Sequence, residues 1–183
     1  MPNDEDPRAL EVLAFWWDAG PEKWFAQDEA FDGQCRAFED LVEEAVGGNL
    51  DAWRASAAGT LALILLTDQF PRNLFRGTRR AFASDALALD AADHAVAQAF
   101  PSAWPMPARS FFLLPFMHSE DLSIQELSLD LYRATGNRDA YYYALVHHDV
   151  IRRFGRFPHR NASLGRQTTA AEQAFLDSGG FSA

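Results

Sequence analysis

The chain has 183 residues, of which 48% are hydrophobic and 13% aromatic, and it carries a net charge of −10. This apolar content excludes a disordered chain, and one domain of this length buries a sizeable core. The acidic balance argues against nucleic-acid binding, because that function needs a basic face to neutralise phosphates.

Cysteine content and the longest apolar run bear on the compartment. The single cysteine, Cys35, excludes an intrachain disulfide and favours a reducing compartment. The first residues, MPNDEDPR, are acidic and do not have the pattern of a secretory signal. The longest uncharged run, between Arg54 and Asp68, has thirteen residues, too few to span a bilayer. We therefore expect a cytoplasmic protein with no membrane partner.

Apolar residues recur at spacings of three and four along nearly the whole chain, which predicts helices. The eight predicted helices, caps included, cover residues 9–18, 28–47, 50–69, 84–99, 107–117, 119–136, 137–154 and 169–179. Ser84, Ser119, Asn137 and Thr169 are the predicted N-caps, and Pro71 is predicted to stop the third helix. No segment alternates as a strand does. The sequence therefore predicts a single all-α domain over residues 1–183, built from stacked antiparallel helical hairpins.

Three polar segments follow the ends of the third, fifth and seventh predicted helices. They are residues 68–76, 118–121 and 152–161, and two of them contain similar phrases, FPRN at 70–73 and FPHRN at 157–161. Because consecutive helices in such a stack alternate in direction, the ends of odd-numbered helices point the same way. The order of helices therefore predicts that the three segments gather at one end of the stack.

Arginine, histidine and acidic residues dominate these segments and the neighbouring helix ends. Residues 147–166 alone hold five Arg and three His against one Asp. A guanidinium presents forked, permanently charged donors that suit carboxylates and phosphates. The pattern favours a pocket for a small anionic ligand. Its candidate binding residues are Asp68, Arg72, Asn73, Arg76, Arg109, His118, Glu120, His147, Arg153, Arg156, His159, Arg160 and Asn161.

The same arginines also have a structural interpretation. Cations near helix C-termini bond the last carbonyl groups and meet the negative end of the helix dipole. Asp68, Glu120 and Asp149 are then the expected partners of the arginines in a buried or half-buried network. On this interpretation the protein is a helical scaffold for a protein partner, because helical stacks present concave grooves.

The sequence gives less support to catalysis or metal binding. His118 or His159 would suit acid–base catalysis in a hydrolase or transferase if an acidic side chain, Asp68, Glu120 or Asp149, lies beside it and shifts its pKa. The spacing of histidine, acidic and cysteine residues matches no metal motif, and arginines repel cations. We expect no metal and no cofactor. His147 lies at the margin of the apolar face of its helix and is predicted to be more enclosed than His148.

Three stretches of the sequence resemble a known family. They are DQFPRNLFRG at residues 68–77, PFMHSE at 115–120 and RFGRFPHRN at 153–161. In combination they resemble an uncharacterised bacterial domain-of-unknown-function family with a tetratricopeptide-like, all-helical fold. The resemblance implies a superhelix of stacked helical hairpins and implies no reaction, so function must be argued from the site itself.

Overall fold

The computed structural model describes residues 5–181 of the chain, and all the regular secondary structure of this part is helical. Its twelve α-helices are α1 Pro7–Ala19, α2 Pro21–Trp24, α3 Glu29–Cys35, α4 Glu39–Val46, α5 Ala57–Ile64, α6 Phe70–Leu74, α7 Asp85–Ala97, α8 Ala108–His118, α9 Leu122–Thr135, α10 Arg138–Phe154, α11 Asn161–Leu164 and α12 Ala170–Asp177. The predicted all-α class is confirmed. Within the described part, none of the helices has the length and apolar character needed to cross a bilayer.

The helices are shorter and more numerous than predicted. A 3-10 turn at Arg36–Phe38 divides the predicted helix over 28–47 into α3 and α4. The predicted helix over 50–69 begins with a second 3-10 turn, Asp51–Ala55, before α5. The prediction that the three polar segments gather at one end assumed eight helices that alternate in direction, and the twelve α-helices of the described part do not follow that series.

Contacts within the chain group it into two compact units, the first of which contains the described residues 5–76 and 80–112. In this unit both α1 and α7 pack on α5. Residues 59–64 of α5 are all buried, as an apolar segment at the centre of a core should be. The rings of Trp16 and Phe70, both fully buried, lie 5.5 Å apart between centroids. The core of the first unit therefore combines packed aromatic rings with the aliphatic side chains of α5.

The buried helix of the first unit contains one π-helical turn, Leu65–Gln69, between α5 and α6. Pro71 lies in the first turn of α6, and Ser84 Oγ donates to the carbonyl oxygen of Thr67, which an N–H group at position 71 would bond in a regular α-helix. The helix therefore runs on to Leu74, and the prediction that Pro71 stops it is wrong.

The second unit contains residues 77–79 and 113–181, with the end of α8 and helices α9 to α12. Helices α9 and α10 are joined by two residues and pack closely as a hairpin. Asn137 caps α10 by accepting a 2.9 Å hydrogen bond from the N–H of Ala140, and Thr169 forms a capping box with Glu172 at the start of α12. Both predicted caps are confirmed.

Of the other two predicted N-caps, Ser119 is wrong, whereas Ser84 does occupy the N-cap position of α7 but its hydroxyl makes no capping hydrogen bond. The carboxylate of Asp121 caps α9, accepting from the N–H of Ser123 at 2.8 Å, while Ser119 Oγ accepts from the N–H of Asp121 at 3.1 Å. Ser84 Oγ donates instead to the carbonyl oxygen of Thr67 at 2.6 Å. Helix α9 begins three residues after Ser119, so the hydroxyl is too far from the free N–H groups that Asp121 reaches.

Candidate functional site

Arg72 lies between two carboxylates of the first unit. Its guanidinium is 3.3 Å from Oδ1 of Asp68 and donates two hydrogen bonds, of 3.0 and 3.2 Å, to Asp85. Burial alone would lower the pKa of Arg72, but the two carboxylates outweigh burial and raise its pKa above the ordinary value. Because Asp68 is fully buried, this arginine compensates a charge inside the unit.

The rest of the segment that follows the π turn is also bonded within the first unit. Arg76 donates two hydrogen bonds of 2.8 Å to Asp32, and these bonds raise the pKa of Arg76. Asn73 donates to the carbonyl oxygen of Gln69 at 3.2 Å and accepts from Arg76 at 3.3 Å. These contacts are the kind expected if the arginines stabilise the fold and do not bind a ligand.

Arg109, at the start of α8, binds backbone carbonyl groups. It donates to the carbonyl oxygens of Pro101 at 2.9 Å, Ser102 at 3.0 Å and Trp104 at 3.2 Å. These carbonyls belong to the 3-10 turn Phe100–Ala103 and the residue after it, where helical partners are lacking. The Arg109 side chain thus supplies hydrogen-bond donors for backbone carbonyl groups at the end of this turn.

In the second unit, Arg156 is bound to Glu172, which is only 2% exposed. Two hydrogen bonds, of 2.6 and 2.8 Å, join the side chains, and the N–H of Thr169 donates to the same carboxylate at 2.7 Å. Asn161 also donates to it, at 3.4 Å. Hydrogen bonding to Arg156 is the main reason that the pKa of Glu172 falls to about 2.

Arg153 lies at the surface of the second unit, nearly half exposed. It is 3.5 Å from Asp149, and its guanidinium lies 5.0 Å from the ring centroid of Phe154 and 4.9 Å from that of Phe175. A cation over two aromatic rings is attracted by their faces. Arg153 therefore covers apolar surface in addition to pairing with an acid.

The carboxylates predicted as partners of the arginines, Asp68, Glu120 and Asp149, all form such ion pairs. Sequence reasoning did not identify three further partners, which are Asp32, Asp85 and Glu172. Glu172 lies three residues after the predicted N-cap Thr169 and closes the capping box of α12. Ion pairs within one helical turn can be recognised by a spacing of three or four residues. Asp32 and Asp85 lie much farther along the chain from their arginines, so the sequence could not identify them as partners.

Four of the candidate residues come together in the second unit, in a group we call the histidine cluster: His118, His147, His159 and Arg160. The rings of His118 and His147 are 6.1 Å apart between centroids. The guanidinium carbon of Arg160 lies 4.5 Å from the ring centroid of Phe157. Phe181 packs against both His147 and His159, at 4.2 and 5.5 Å. Neither phenylalanine was predicted as part of the site.

His147 is a neutral member of the histidine cluster and, as predicted, is more buried than His148. Its Nδ1 lies 2.8 Å from the carbonyl oxygen of Tyr143, and since a carbonyl only accepts, Nδ1 carries the proton. Burial, together with smaller effects of the neighbouring His118 and Arg160, lowers the pKa of His147 to about 3. The ring therefore presents Nε2 as an acceptor.

His159 has one buried ring nitrogen without a hydrogen-bond partner in the part of the chain that the structure describes. Burial and the charge of Arg160 lower the pKa of His159 to about 4, while Glu120 and a hydrogen bond with the backbone of Phe181 act in the opposite direction. Nδ1 is buried and has no hydrogen-bond partner among residues 5–181. A buried polar atom without a partner costs about 1–3 kcal/mol. This nitrogen is where a bound molecule would gain a hydrogen bond.

Glu120 lies beside the histidine cluster, but its charge is already compensated. It accepts hydrogen bonds from Arg166, at 2.7 and 3.0 Å, and from the N–H of Phe157 at 2.8 Å. Burial by itself would raise the pKa of Glu120, and these bonds with the nearby charge of Arg160 outweigh it, so that the pKa is lowered. A base bound in this way is poorly suited to take a proton from a histidine.

Two clefts lie in the first unit, away from the candidate residues. One, of about 380 Å³, is lined by Arg8 and Trp53, and the other, of about 300 Å³, by Arg54 and Asp90. Neither is lined by a residue of the predicted anion site. Over the described range 5–181, no three histidine, cysteine or acidic side chains group together as metal ligands would.

Comparison with known proteins gives a family but no activity. A family model described as a bacterial protein of unknown function, DUF924, matches residues 12–180. The chain is also 43% identical to a solved protein of unknown function from Agrobacterium tumefaciens, with a TM-score of 0.91, over 96% of this chain and 99% of the other. No curated protein matches the chain. The resemblance of the three sequence stretches is thus confirmed, and the protein belongs to the DUF924 family of bacterial proteins of unknown function.

Proposed function

We propose that this protein binds a small anion, a carboxylate or a phosphate, at His118, His159 and Arg160 of the histidine cluster. The donor groups that gather there support it. Arg160 is 6% exposed, and the rings of His118 and His147 lie 6.1 Å apart in the same cluster. Arginine and histidine side chains donate the hydrogen bonds that carboxylates and phosphates accept.

The buried Nδ1 of His159 is the observation that carries this proposal. This atom has no hydrogen-bond partner in the described part of the chain. An anion placed against it would favour the charged imidazolium, raise the pKa of His159 and accept a hydrogen bond from Nδ1–H. The same anion would lie close to Arg160, the next residue in the chain.

In this proposal most of the other candidate residues support the fold and do not touch the ligand. Arg72, Arg76 and Arg156 are each bound to carboxylates, and Arg109 is bound to carbonyl groups. Releasing any of them to a ligand would break charge-assisted hydrogen bonds. The proposed site is therefore much smaller than the arginine pocket that the sequence favours.

Thermal unfolding with inorganic phosphate and with acetate tests the proposal. At a hundredfold excess over Kd, a specific anion stabilises the protein by about 2.7 kcal/mol, which raises Tm by roughly 5–10 °C. We expect Arg160→Met and His159→Gln to abolish this shift, each relative to its own Tm without anion. Arg152→Met, which removes an exposed arginine of α10, is the control and should keep it. No shift with either anion, or an equal shift in every variant, would overturn the proposal.

A second candidate function is protein binding through α10. Tyr142 and Tyr143 are 61% and 55% exposed, and their rings meet edge to face at 5.7 Å. Exposed aromatic side chains are common at the centre of protein interfaces. If this function holds, the double change Tyr142→Ser with Tyr143→Ser abolishes co-purification of a partner and leaves Tm nearly unchanged. Unaltered co-purification would count against it.

We also propose that the protein is cytoplasmic. Its one cysteine, Cys35, is buried, and burial raises the pKa of its thiol to about 12. The fold is therefore not stabilised by an intrachain disulfide, the bond that an oxidising compartment would favour. Cell fractionation tests this directly, and recovery of the native protein from the periplasm would contradict it.

A further inference from the structure

The second cleft of the first unit lies where several helical elements meet. It has a volume of about 300 Å³, enough for a small molecule. Its lining comes from the end of α4, the 3-10 turn Asp51–Ala55, the buried helix at Leu63 and Thr67, and α7 at Leu87 and Asp90. The histidine cluster belongs to the second unit, so the cleft is distinct from it.

Arg54 forms part of the cleft wall and is held in place there. Its carbonyl oxygen lies 3.0 Å from Nε2 of His94 and accepts a hydrogen bond from Oγ1 of Thr60 at 3.3 Å. Its guanidinium reaches across to α7, where Nη2 lies 2.5 Å from Oδ2 of Asp90. The charge of Arg54 is therefore matched within the protein, and a ligand does not need to neutralise it.

One donor of the same guanidinium still lacks an acceptor. Nε of Arg54 is buried and has no hydrogen-bond partner among residues 5–181. A buried donor without an acceptor is unfavourable, so an acceptor brought to it is bound favourably. The Asp90 side chain is 68% exposed, so its pair with Arg54 is held weakly and can shift to uncover Nε. Because the charge is already matched, a neutral carbonyl oxygen suits this nitrogen.

Asp51 carries the negative charge that remains in the cleft. In a 3-10 turn, side chains three residues apart eclipse each other, so Asp51 and Arg54 project from the same side. Arg54 nevertheless pairs with Asp90, and exposed Asp51 forms no ion pair within the described part of the chain. With one cation, Arg54, against the two carboxylates of Asp51 and Asp90, the cleft has an excess of one negative charge. It therefore favours a ligand with one positive charge.

An apolar patch and a glycine complete the cleft. Leu87 is 41% exposed there, beside buried Leu63 and Ala45, so a ligand that covers it removes apolar surface from water. Gly48 has a φ of +78°, in the left-handed region that favours glycine. A Cβ at this position would lie 3.7 Å from Oδ2 of Asp51, so the glycine leaves the approach to that carboxylate open.

The π turn contributes Thr67 to the same cleft. Its Oγ1 donates to the carbonyl oxygen of Leu63 at 2.8 Å, and its own carbonyl oxygen accepts from Ser84 Oγ at 2.6 Å. These side-chain bonds keep the irregular turn in place at the wall of the cleft. Single π turns within helices are frequent at functional sites, which supports a binding role for the cleft.

We propose that this cleft binds a small primary amine that carries a carbonyl group and an apolar side chain, as the amide of a hydrophobic amino acid does. The ammonium group binds to Asp51, the carbonyl oxygen accepts from Nε of Arg54, and the apolar chain covers Leu87. The single positive charge of the ligand balances the excess negative charge. A free carboxylate on the ligand would lie beside Asp90 and is disfavoured by repulsion.

Isothermal titration calorimetry with leucinamide tests the proposal, at about pH 6.5, where its amino group is protonated. The comparison compounds are N-acetylleucinamide, which lacks the charge, and 3-methylbutylamine, which lacks the carbonyl group. We expect N-acetylleucinamide to bind about tenfold more weakly than leucinamide, because it cannot pair with Asp51. The loss for 3-methylbutylamine should be about threefold to tenfold, because Nε of Arg54 stays without an acceptor.

Variants assign these differences to particular side chains. Asp51→Asn should weaken leucinamide binding by about tenfold. Arg54→Lys keeps a cation for Asp90 but has no Nε donor, so it should lose the preference for leucinamide over 3-methylbutylamine. Asp93→Asn removes an exposed acid of α7 that does not line the cleft, and it is the control that should bind as the wild type does.

Each outcome supports or overturns the proposal. It is overturned if the wild type does not bind leucinamide, or if Asp51→Asn binds leucinamide as tightly as Asp93→Asn does. It is also overturned if Arg54→Lys keeps the full preference for leucinamide, because the carbonyl group would then not bind at Nε. Circular dichroism establishes that each variant is folded. If Arg54→Lys is not, equal binding of leucinamide and 3-methylbutylamine by the wild type has the same meaning.

Discussion

The carboxylate of Glu120 and the guanidinium of Arg166 are joined by two hydrogen bonds, of 2.7 and 3.0 Å, although 46 residues separate them in the sequence. Arg166 also donates to the carbonyl oxygen of Phe157 at 3.1 Å and to Asn161 at 3.0 Å. This one arginine therefore ties the loop after α8 to the segment that carries His159. The geometry of the histidine cluster depends on it.

We expect Glu120→Gln to lower the free energy of unfolding by about 1.5–3 kcal/mol, because it removes the charge from two charge-assisted hydrogen bonds. Urea denaturation measures the change. Glu126→Gln, at an exposed position of α9, is the matched control and should stay within about 0.5 kcal/mol of the wild type. Equal losses in the two variants would show that the pair has no special role.

Arg72→Met should destabilise the protein by about 3–5 kcal/mol, because it removes the cation from beside the fully buried Asp68. The matched control is Arg80→Met. Arg80 pairs with Glu43 at the surface, with both side chains more than half exposed, and such a pair contributes about 0–1 kcal/mol. Chemical denaturation of both variants makes the comparison, and a cost below 1 kcal/mol for Arg72→Met contradicts it.

Gly59→Ala should destabilise the protein by about 1–3 kcal/mol, even though alanine is the better helix former. A Cβ on Gly59 would overlap the backbone carbonyl oxygen of Trp53. Gly33→Ala, within α3, is the control: its Cβ would meet no atom within 4 Å, so it should stabilise the protein by about 0.4–1 kcal/mol. The two substitutions should therefore shift Tm in opposite directions, as measured by thermal unfolding. Shifts of the same sign would contradict the proposed overlap at Gly59.

The free energy of unfolding should fall as the pH falls from 6.5 to 4.5. Histidine in the unfolded chain titrates near pH 6.5, whereas burial lowers the pKa of His147 to about 3 and that of His159 to about 4. In this interval the unfolded chain binds more protons than the folded one, so acid favours unfolding. Each histidine contributes a slope of up to about 1.4 kcal/mol per pH unit.

His147→Gln isolates this effect. The variant should lose roughly half of the pH dependence between pH 6.5 and 4.5, as measured by urea denaturation at a series of pH values. Glu172, whose pKa is lowered from 4.5 to about 2, loses most of its contribution below this interval. His148→Gln, at the next and less buried position of α10, should keep the wild-type slope. If His147→Gln kept that slope too, the buried imidazole would not be its source.

Local features of the fold could be predicted from the sequence, since the interactions that set them lie within a few residues. Asn137 and Thr169 are caps in the structure because each reaches N–H groups three residues ahead. Ser119 failed as a cap because Asp121 competes for the same helix start. Pro71 failed as a stop because the preceding residues already have helical backbone angles, which a sequence pattern does not report.

Predicting the site was harder, because its contacts are distant in sequence. The acids Asp68, Glu120 and Asp149 could be named as partners of arginines, yet nothing in the sequence shows that Arg76 pairs with Asp32, 44 residues away. Phe181 lies just beyond the last predicted helix, residues 169–179, where the sequence shows no link to the histidines. The gathering of His118, His147 and His159 in one cluster required the packing of the second unit.

The π turn at Leu65–Gln69 has a consequence for how related chains can be aligned. Each hydrogen bond of a π turn spans one residue more than in an α-helix, so the turn holds one residue that a regular helix would not need. Deleting a residue elsewhere in a buried helix rotates everything after it by about 100°. Here a deletion would restore α-helical geometry and leave the flanking faces in register. A family member one residue shorter at this point would still pack Phe70 against Trp16.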